Sequence, residues 1–349
     1  MLPPLPYPPG PRGRLAPSPT GCLHLGNAYA FLMAWLSVRS QGGTLVLRME
    51  DIDPERSKAA FTESILDDLN WLGITWDEGP DKGGPCAPYT QSARLERYAG
   101  LLDELRARGL VYPCYCTRKE LRMLASAPHI GDEGVPYPGT CRTLGDSRRA
   151  EFEANGRRPS LRLNTEASGQ LLAGGEHAEK EEAPLCFIDG VLGKQRFTMR
   201  DCGGDFPLCR SDGVVAYQLA VVADDAAMGI TEVVRGDDLL LSTPRQVLLF
   251  RLLDRKAPVY AHVPLLHDPA GERLAKRHKS LELSALRGAG VAPEAVVGYL
   301  GWLAGWRIHP EPARPGDLLA DFSLASLTGR HMRLPDNVEE TLLRMTRHC

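Results

Sequence analysis

Arg14-Leu15-Ala16-Pro17-Ser18-Pro19-Thr20-Gly21-Cys22-Leu23-His24-Leu25-Gly26-Asn27 is the stretch on which the fold turns. A short apolar strand at Leu15 and Ala16 runs into a Pro/Ser/Gly turn. A helix then opens around His24-Leu25-Gly26-Asn27 and continues through Tyr29, Leu32, Met33 and Leu36. A strand that feeds a glycine-bearing turn at a helix N-terminus builds an anion site, because unpaired backbone N–H groups and the positive end of the helix dipole point outward there. A lone H-x-G at a helix start is most often just a cap; the whole fourteen-residue string is far rarer by chance.

Outward from this string, Gly42-Gly43 turns into Thr44-Leu45-Val46-Leu47-Arg48-Met49, which reads as a buried parallel strand. It ends in Glu50-Asp51-Ile52-Asp53-Pro54, with Arg56 close behind. In open α/β sheets ligands sit beyond the carboxyl ends of the strands, so Glu50 and Asp51 are placed to meet a substrate. Phe61, Ile65, Leu69 and Leu72 form one face of a following helix and read as core packing. A further helix is expected from about Ala93 to Arg108, ended by Gly109.

Cys114-x-Cys116 and Cys141, about 25 residues later, can share one tetrahedral ion. By residue chemistry alone the fourth ligand stays open among Tyr137, His129, Asp132 and water. With no evident general base beside it, such an ion is structural in this reading. Residues 143–212 are poorly informative: Gly169–Glu182 reads as a solvated loop, and Cys186, Cys202 and Cys209 as ordinary thiols. Order returns with the apolar run Val214–Asp225 and continues through Val233-Val234-Arg235-Gly236-Asp237-Asp238. An arginine at a strand's carboxyl end, here Arg235, offers the two-pronged fork that a carboxylate requires. A last basic cluster is Gly271-Glu272-Arg273-Leu274-Ala275-Lys276-Arg277-His278.

These motifs resemble the class I aminoacyl-tRNA synthetases, whose first nucleotide motif, His-Ile-Gly-His, stands here as His24-Leu25-Gly26-Asn27. The flanking Arg14-x-Ala16-Pro17-Ser18-Pro19-Thr20-Gly21 narrows the likeness to the glutamyl/glutaminyl branch. So do Arg48-x-Glu50-Asp51-x-Asp53-x-x-Arg56, Trp71–Gly79, Gln91-Ser92-x-Arg94-x-x-x-Tyr98 and the run from Tyr217 to Leu239. The resemblance covers roughly 14–142 and 213–305. It implies an α/β fold, a Rossmann-like nucleotide-binding domain with an inserted zinc-binding subdomain and a short helical C-terminal part. The implied layout is a proline-rich tail over 1–13, the first half of the catalytic domain over 14–112, the insertion over 113–212, the second half over 213–262, and the lysine-motif loop with helices over 263–349.

The same resemblance implies roles. His24 and Lys276 would be catalytic; His24, Gly26, Asn27 and Lys276 would bind ATP, the glycine leaving room for the adenosine. Arg14, Leu15, Ala16, Pro17, Ser18, Glu50, Tyr217 and Arg235 would bind L-glutamate, Glu50 suiting its ammonium. The family's Lys-Leu-Ser-Lys-Arg motif can be laid on Lys276–Ser280 or on Arg273–Arg277. The second register keeps the family's spacing from Gly271; it puts Arg273 and Ala275 where a lysine and a serine usually stand. Cys-x-Cys followed by Tyr137-x-x-x-Cys141 resembles the glutamyl-queuosine tRNA(Asp) synthetase group, which makes Cys114, Cys116, Tyr137 and Cys141 the ligands of one structural zinc. Only about 70 residues follow the lysine motif, so no anticodon-binding domain is expected. The implied partners are ATP with Mg²⁺, L-glutamate and queuosine-containing tRNA(Asp), for a monomer. A truncated glutamyl-tRNA synthetase and a silent RNA-binding or regulatory paralogue are the alternatives.

Composition is compatible. The 349 residues leave room for two or three domains, and 43% hydrophobic with 24% charged residues is ordinary for a globular chain. No apolar run approaches the roughly 20 residues that span a bilayer. The leader Met1–Gly10 lacks a signal-peptide core, so a cytoplasmic protein with no membrane partner is expected. Nine cysteines fit reduced thiols or metal ligation. The net charge of −3 implies that any RNA must be met by a local patch.

Overall fold

The structure, a computed structural model, describes residues 10–117, 119–121, 137–173, 184–274, 279–329 and 332–349. From the N-terminal side, β1 (Arg12–Leu15) leads through the turn to α1 (Leu25–Ser40), and β2 (Thr44–Leu47) returns parallel to β1 in the register Arg12↔Thr44 to Leu15↔Leu47. α2 (Ala59–Trp71) and α3 (Leu95–Ala107) follow, the latter starting later than its sequence pattern suggests because Gln91–Ala93 forms a 3₁₀ turn. Next come β3 (Val111–Cys114), α4 (Asp146–Ala154), β4 (Ser160–Leu163), α5 (Thr165–Leu172), β5 (Leu185–Asp189), β6 (Gly193–Phe197) and β7 (Pro207–Cys209). The chain continues through α6 (Tyr217–Ala227), β8 (Glu232–Gly236), α7 (Ser242–Leu252), β9 (Val259–Val263) and β10 (Leu266–His267). α8 (Leu283–Gly288), α9 (Pro293–Leu303), β11 (Met332–Arg333) and α10 (Val338–Thr346) complete it.

The result is α/β with mixed sheets. β8 and β9 pair in parallel, and the amide of Thr231 donates to the Arg12 carbonyl at 2.8 Å, which lays β8 beside β1. β5 joins β9 in parallel at Asp189↔Tyr260 and carries antiparallel β6 on its outer side. Residues read from sequence as part of the insertion therefore edge this sheet. β3, β4 and β7 form a separate antiparallel sheet. The shortness of the elements of 146–209 explains why that stretch carries little pattern, and β6, Gly-Lys-Gln-Arg-Phe, is also largely exposed with one phenylalanine as its hydrophobic content.

α1 is apolar on nearly every side because it is covered on nearly every side. Leu25, Leu32, Met33 and Leu36 are fully buried against the sheet and the C-terminal helices, each such side chain contributing about 1.5–3 kcal/mol. Ile65, Leu69 and Leu72 of the α2 stripe enter the same core. Asp68 enters with them: it is fully buried, neither carboxylate oxygen is hydrogen-bonded, and its nearest cation is Arg287 of α8 at 3.7 Å.

Candidate active site

At the N-terminus of α1 the His24 ring accepts a hydrogen bond from the Gly26 amide at its Nδ1, 3.1 Å away, while Asn27 Oδ1 accepts from the His24 amide at 3.0 Å. This reciprocal closure satisfies two orphan helix donors. With Nδ1 accepting, a neutral ring carries its proton on Nε2, a donor suited to an anion at the helix terminus. Gly26 has a local reason to be glycine, since a Cβ there would lie 3.0–3.1 Å from the His24 ring. The capping and the anion-binding readings of this histidine are therefore compatible.

Leu274 packs near Gly26, and Glu282 forms a β-bridge with His24. The described segments on both sides of 275–278 thus meet the His24 turn. Lys276 and Ala275 lie outside the described residues, as do the sequence alternatives His129 and Asp132. Arg273 is described, and it pairs with Asp238 at 2.7 Å.

Beyond the ends of β1 and β2 lies a buried lattice of charge. Arg48 is wholly buried and donates to Asp225 at 2.7 Å and to Glu50 at 3.0 Å. Asp224, on the neighbouring turn position of α6, accepts from Arg94 at 2.6 Å, Tyr98 at 2.8 Å and Gln91 at 2.9 Å. Arg14 reaches in from β1, its Nε 3.8 Å from Asp225 and its Nη1 3.4 Å from the Val234 carbonyl. Burial pushes the Glu50 carboxyl upward, against the pull of Arg48 and Arg14. Burial likewise lowers Arg14, against the attraction of Asp225 and with the repulsion of Arg48 and Arg235. Burying six such groups is tolerable only because each charge has an opposite neighbour; removing one partner of a buried pair costs about 3–5 kcal/mol.

Arg235, at the end of β8, faces the same space. Its Nε donates to His262 Nε2 at 3.1 Å, its Nη2 to Thr243 Oγ1 at 2.7 Å, and its guanidinium lies over the Tyr260 ring at 5.1 Å. Arg235 Nη1, Arg14 Nε and the Tyr260 hydroxyl are buried without a hydrogen-bond partner. Buried donors of this kind are costly unless a ligand accepts from them. Tyr217, at the start of α6, is 37% exposed and within electrostatic reach of Arg14, Arg235 and Glu50.

The turn supplies backbone more than side chains. Leu15 is fully buried in the core, its carbonyl accepting from the Arg48 amide, and the Pro17 carbonyl accepts from the Glu50 amide at 2.9 Å. Ala16 is half-buried and Ser18 exposed. The acidic string divides its labour. Glu50 faces the site, whereas Asp51 holds Ser92 through both carboxylate oxygens at 2.6 and 2.9 Å, and Asp53 pairs with Arg210 at 2.6 Å. The sequence reading that placed Asp51 against a substrate is thereby corrected. Arg48, Asp224, Asp225 and His262 received no role from sequence. Two adjacent acids inside an apolar helical run were the available signal for the aspartates, since such a pair is buried only with partners.

The thiols of Cys114, Cys116 and Cys141 lie within 4.8 Å of one another, the only such metal-competent group among the described residues. Cys116 and Cys141 are 3.6 Å apart, close to the about 3.8 Å edge of a tetrahedron with metal–sulfur bonds near 2.3 Å. The Tyr137 hydroxyl stands 3.3 Å from the Cys114 sulfur and 4.0 Å from that of Cys116. Hydrogen bonding from Cys141 holds the Cys114 thiol down to about 4, and burial with the neighbouring Cys114 charge pushes Cys116 up. The donor set can hold a metal ion. Its support is Asp205, fully enclosed, which accepts from Tyr112, Arg142 and Thr165 at 2.5–3.0 Å. Arg162 lies over the Tyr137 ring at 4.1 Å.

The family described as tRNA synthetases class I (E and Q), catalytic domain, matches residues 12–313. The chain is similar to the glutamyl-Q tRNA(Asp) synthetase of Nitratidesulfovibrio vulgaris, 53% identical over 96% of this chain and 99% of that one. It is 49% identical to the enzyme of the same name from Symbiobacterium thermophilum, over 93% and 95% of the two chains. Among solved structures it is similar to a glutamate tRNA ligase from Elizabethkingia meningosepticum in complex with its amino acid, with a TM-score of 0.76 and 25% identity over 95% of this chain and 68% of that one. No helix among the described residues is long and apolar enough to cross a membrane.

Proposed function

The chain belongs to the glutamyl-Q tRNA(Asp) synthetase family, within the class I glutamyl and glutaminyl synthetases, and on that premise we propose how its residues carry the reaction. The enzyme is a ligase that activates L-glutamate with ATP and transfers it to the queuosine of tRNA(Asp). Activation needs no tRNA. An oxygen of the glutamate α-carboxylate attacks the α-phosphorus of ATP as the bond to the bridging oxygen breaks and pyrophosphate leaves; Mg²⁺ bound with the nucleotide would offset the phosphate charge. A hydroxyl of the queuosine cyclopentenediol, at the wobble position, then attacks the acyl carbon of the glutamyl adenylate; the acyl–phosphate bond breaks, AMP departs and the hydroxyl proton passes to the departing phosphate.

No covalent enzyme intermediate is required, so the protein contributes positioning and charge. His24 donates from Nε2 to the phosphates at the α1 terminus, Gly26 and Asn27 shape the nucleotide seat, and Lys276 supplies a second positive charge. Glu50 holds the ammonium. Arg14, Arg235 and Tyr217 hold carboxylate oxygens, while Leu15, Ala16, Pro17 and Ser18 offer the backbone wall. The carrying observation is the pair of buried donors on Arg14 and Arg235 that make no hydrogen bond, beside the Arg48-paired Glu50: a pocket of that pattern suits a zwitterion with one further carboxylate.

Cys114, Cys116, Tyr137 and Cys141 fit a zinc ion, which when bound ties β3 to the Tyr137–Cys141 loop of an inserted subdomain. Zinc there is structural, and the catalytic domain around the parallel strands is Rossmann-like. We take the working form to be a cytoplasmic monomer. Glutamate-dependent ATP–pyrophosphate exchange by purified protein without tRNA tests the activation step; absence of exchange supports a silent paralogue. Localising the base-labile glutamyl ester tests the acceptor. An ester on queuosine-containing tRNA(Asp) is expected, and an ester at the tRNA 3′ end would instead identify a charging synthetase.

A further inference from the structure

Arg235 and His262 face each other in the parallel register of β8 and β9, and His262 is wholly buried. For His262 Nε2 to accept from Arg235 Nε, the ring proton must sit on Nδ1. Nδ1 lies 2.6 Å from Asp189 Oδ2. Asp189 is itself immobilised, because its Oδ1 accepts from the backbone amides of Val191, Leu192 and His262 at 3.0, 2.9 and 3.1 Å. Thr243 Oγ1 closes the ring of contacts, accepting from Arg235 Nη2 at 2.7 Å and standing 3.0 Å from His262 Nε2. The guanidinium is thus gripped by its Nε edge, and Nη1 is the donor left without a partner.

A neutral ring between the two charges has a physical consequence. A carboxylate bonded directly to Arg235 would neutralise it and compete with an incoming anion. An imidazole supplies an acceptor without net charge, and Asp189 fixes its tautomer from one residue further away, as outer partners fix metal-binding histidines. Burial holds His262 below the ordinary imidazole range, with repulsion from Arg235 adding to it and Asp189 opposing; a protonated ring would aim N–H at N–H.

We infer that Asp189 and His262 are positioning residues for Arg235, orienting its open donor toward the second carboxylate of the amino acid and favouring that group over its amide. The inference rests on the reading of Arg235 as a substrate-carboxylate ligand. In Asp189→Asn the amide oxygen can keep the three backbone donors while its NH₂ faces Nδ1, which forces the opposing ring tautomer.

The expected result in tRNA-free exchange is a glutamate KM raised by about tenfold or more, with the ATP KM and kcat within about twofold. The preference for glutamate over glutamine should fall by the same factor as the glutamate KM rises. His262→Gln, whose side-chain oxygen can stand near the Nε2 position, should retain more glutamate affinity than His262→Leu. ¹⁵N NMR of histidine-labelled wild-type protein should show His262 protonated at Nδ1 and accepting at Nε2, a readout that survives any folding failure of the variants. An Nε2–H tautomer in the wild type, or an unchanged glutamate KM in folded Asp189→Asn, overturns the inference. Arg235→Lys is measured in parallel: an unchanged glutamate KM there removes the underlying reading, whereas a raised KM beside a silent Asp189→Asn removes only the positioning role.

Discussion

Asn27 closes back on His24: its side-chain oxygen takes the His24 backbone N–H at 3.0 Å while the His24 ring takes the Gly26 N–H, so the histidine is held from both sides. Asn27→Ala should therefore cost about 0.5–2 kcal/mol of stability, the usual range for a lost cap. Gly26→Ala should leave the fold intact but displace the His24 ring, because the new methyl lies 3.0 Å from it. Thermal melts paired with exchange kinetics check both. A Gly26→Ala enzyme with unchanged ATP KM and kcat would dissociate the ring position from catalysis.

Glu50→Gln keeps the shape of the side chain and removes the counter-charge proposed for the substrate ammonium. Loss of a charge-assisted hydrogen bond is worth about 1.5–3 kcal/mol, which corresponds to roughly ten- to hundredfold in glutamate KM. The measurement is exchange velocity against glutamate concentration. An unaltered KM would place the ammonium elsewhere.

Burial pushes the Asp68 carboxyl up to about 6 from its ordinary 3.8, with Arg287 opposing. The native state then holds a proton that the unfolded chain has released, so the contribution of Asp68 to stability is greatest below about pH 4. It falls as pH rises from about 4 to 6 and stays low above that window. Asp68→Asn does not titrate. It should flatten this slope and raise stability at pH 7 by up to about 3 kcal/mol. Urea unfolding at pH 4.5 and 7.5 decides: an equal difference from wild type at both values contradicts the shift.

Cys141→Ser removes one sulfur from the thiol group while leaving the Tyr137 hydroxyl in place. Elemental analysis should find about one zinc per wild-type chain and much less in the variant, with a lower melting temperature. Chelation of the wild type should reproduce the melting shift. Metal-free wild type that melts identically after zinc addition would remove the ion from the account.

Lys276→Ala should depress exchange by about a hundredfold, the scale on which loss of one transition-state donor is felt, and Lys279→Ala should have a small effect. The reverse pattern would assign the lysine motif to the register beginning at Lys276.

Legibility in the sequence followed the range of the interaction. The strand–turn–helix around His24 is written in adjacent residues, and the structure forms it from adjacent contacts. The acidic end of β2 and Arg235 at the end of β8 could be placed because strand termini are local features too. What was not legible depends on pairings across the chain. Arg48 finds Asp225 177 positions later, and Asp189 finds His262 73 positions later, out of a segment whose strands are only three to five residues long. Asp51 shows the converse limit: beside Glu50 in sequence, it turns away to cap Ser92.

Arg14 on the first strand touches Val234, 220 positions further on, and Asp189 arrives from the hairpin between them. The proposed glutamate pocket consequently has no partial form. Its residues are drawn from positions 14 to 262, so no short fragment of the chain assembles it, and the unfolded ensemble offers the amino acid no such set of groups to bind. Glutamate is then a ligand of the native state alone, and at a hundred times its Kd it would add about 2.7 kcal/mol to the free energy of unfolding. On that reading abundant glutamate would hold this protein further from its melting point than a dilute buffer does, by mass action on the native state.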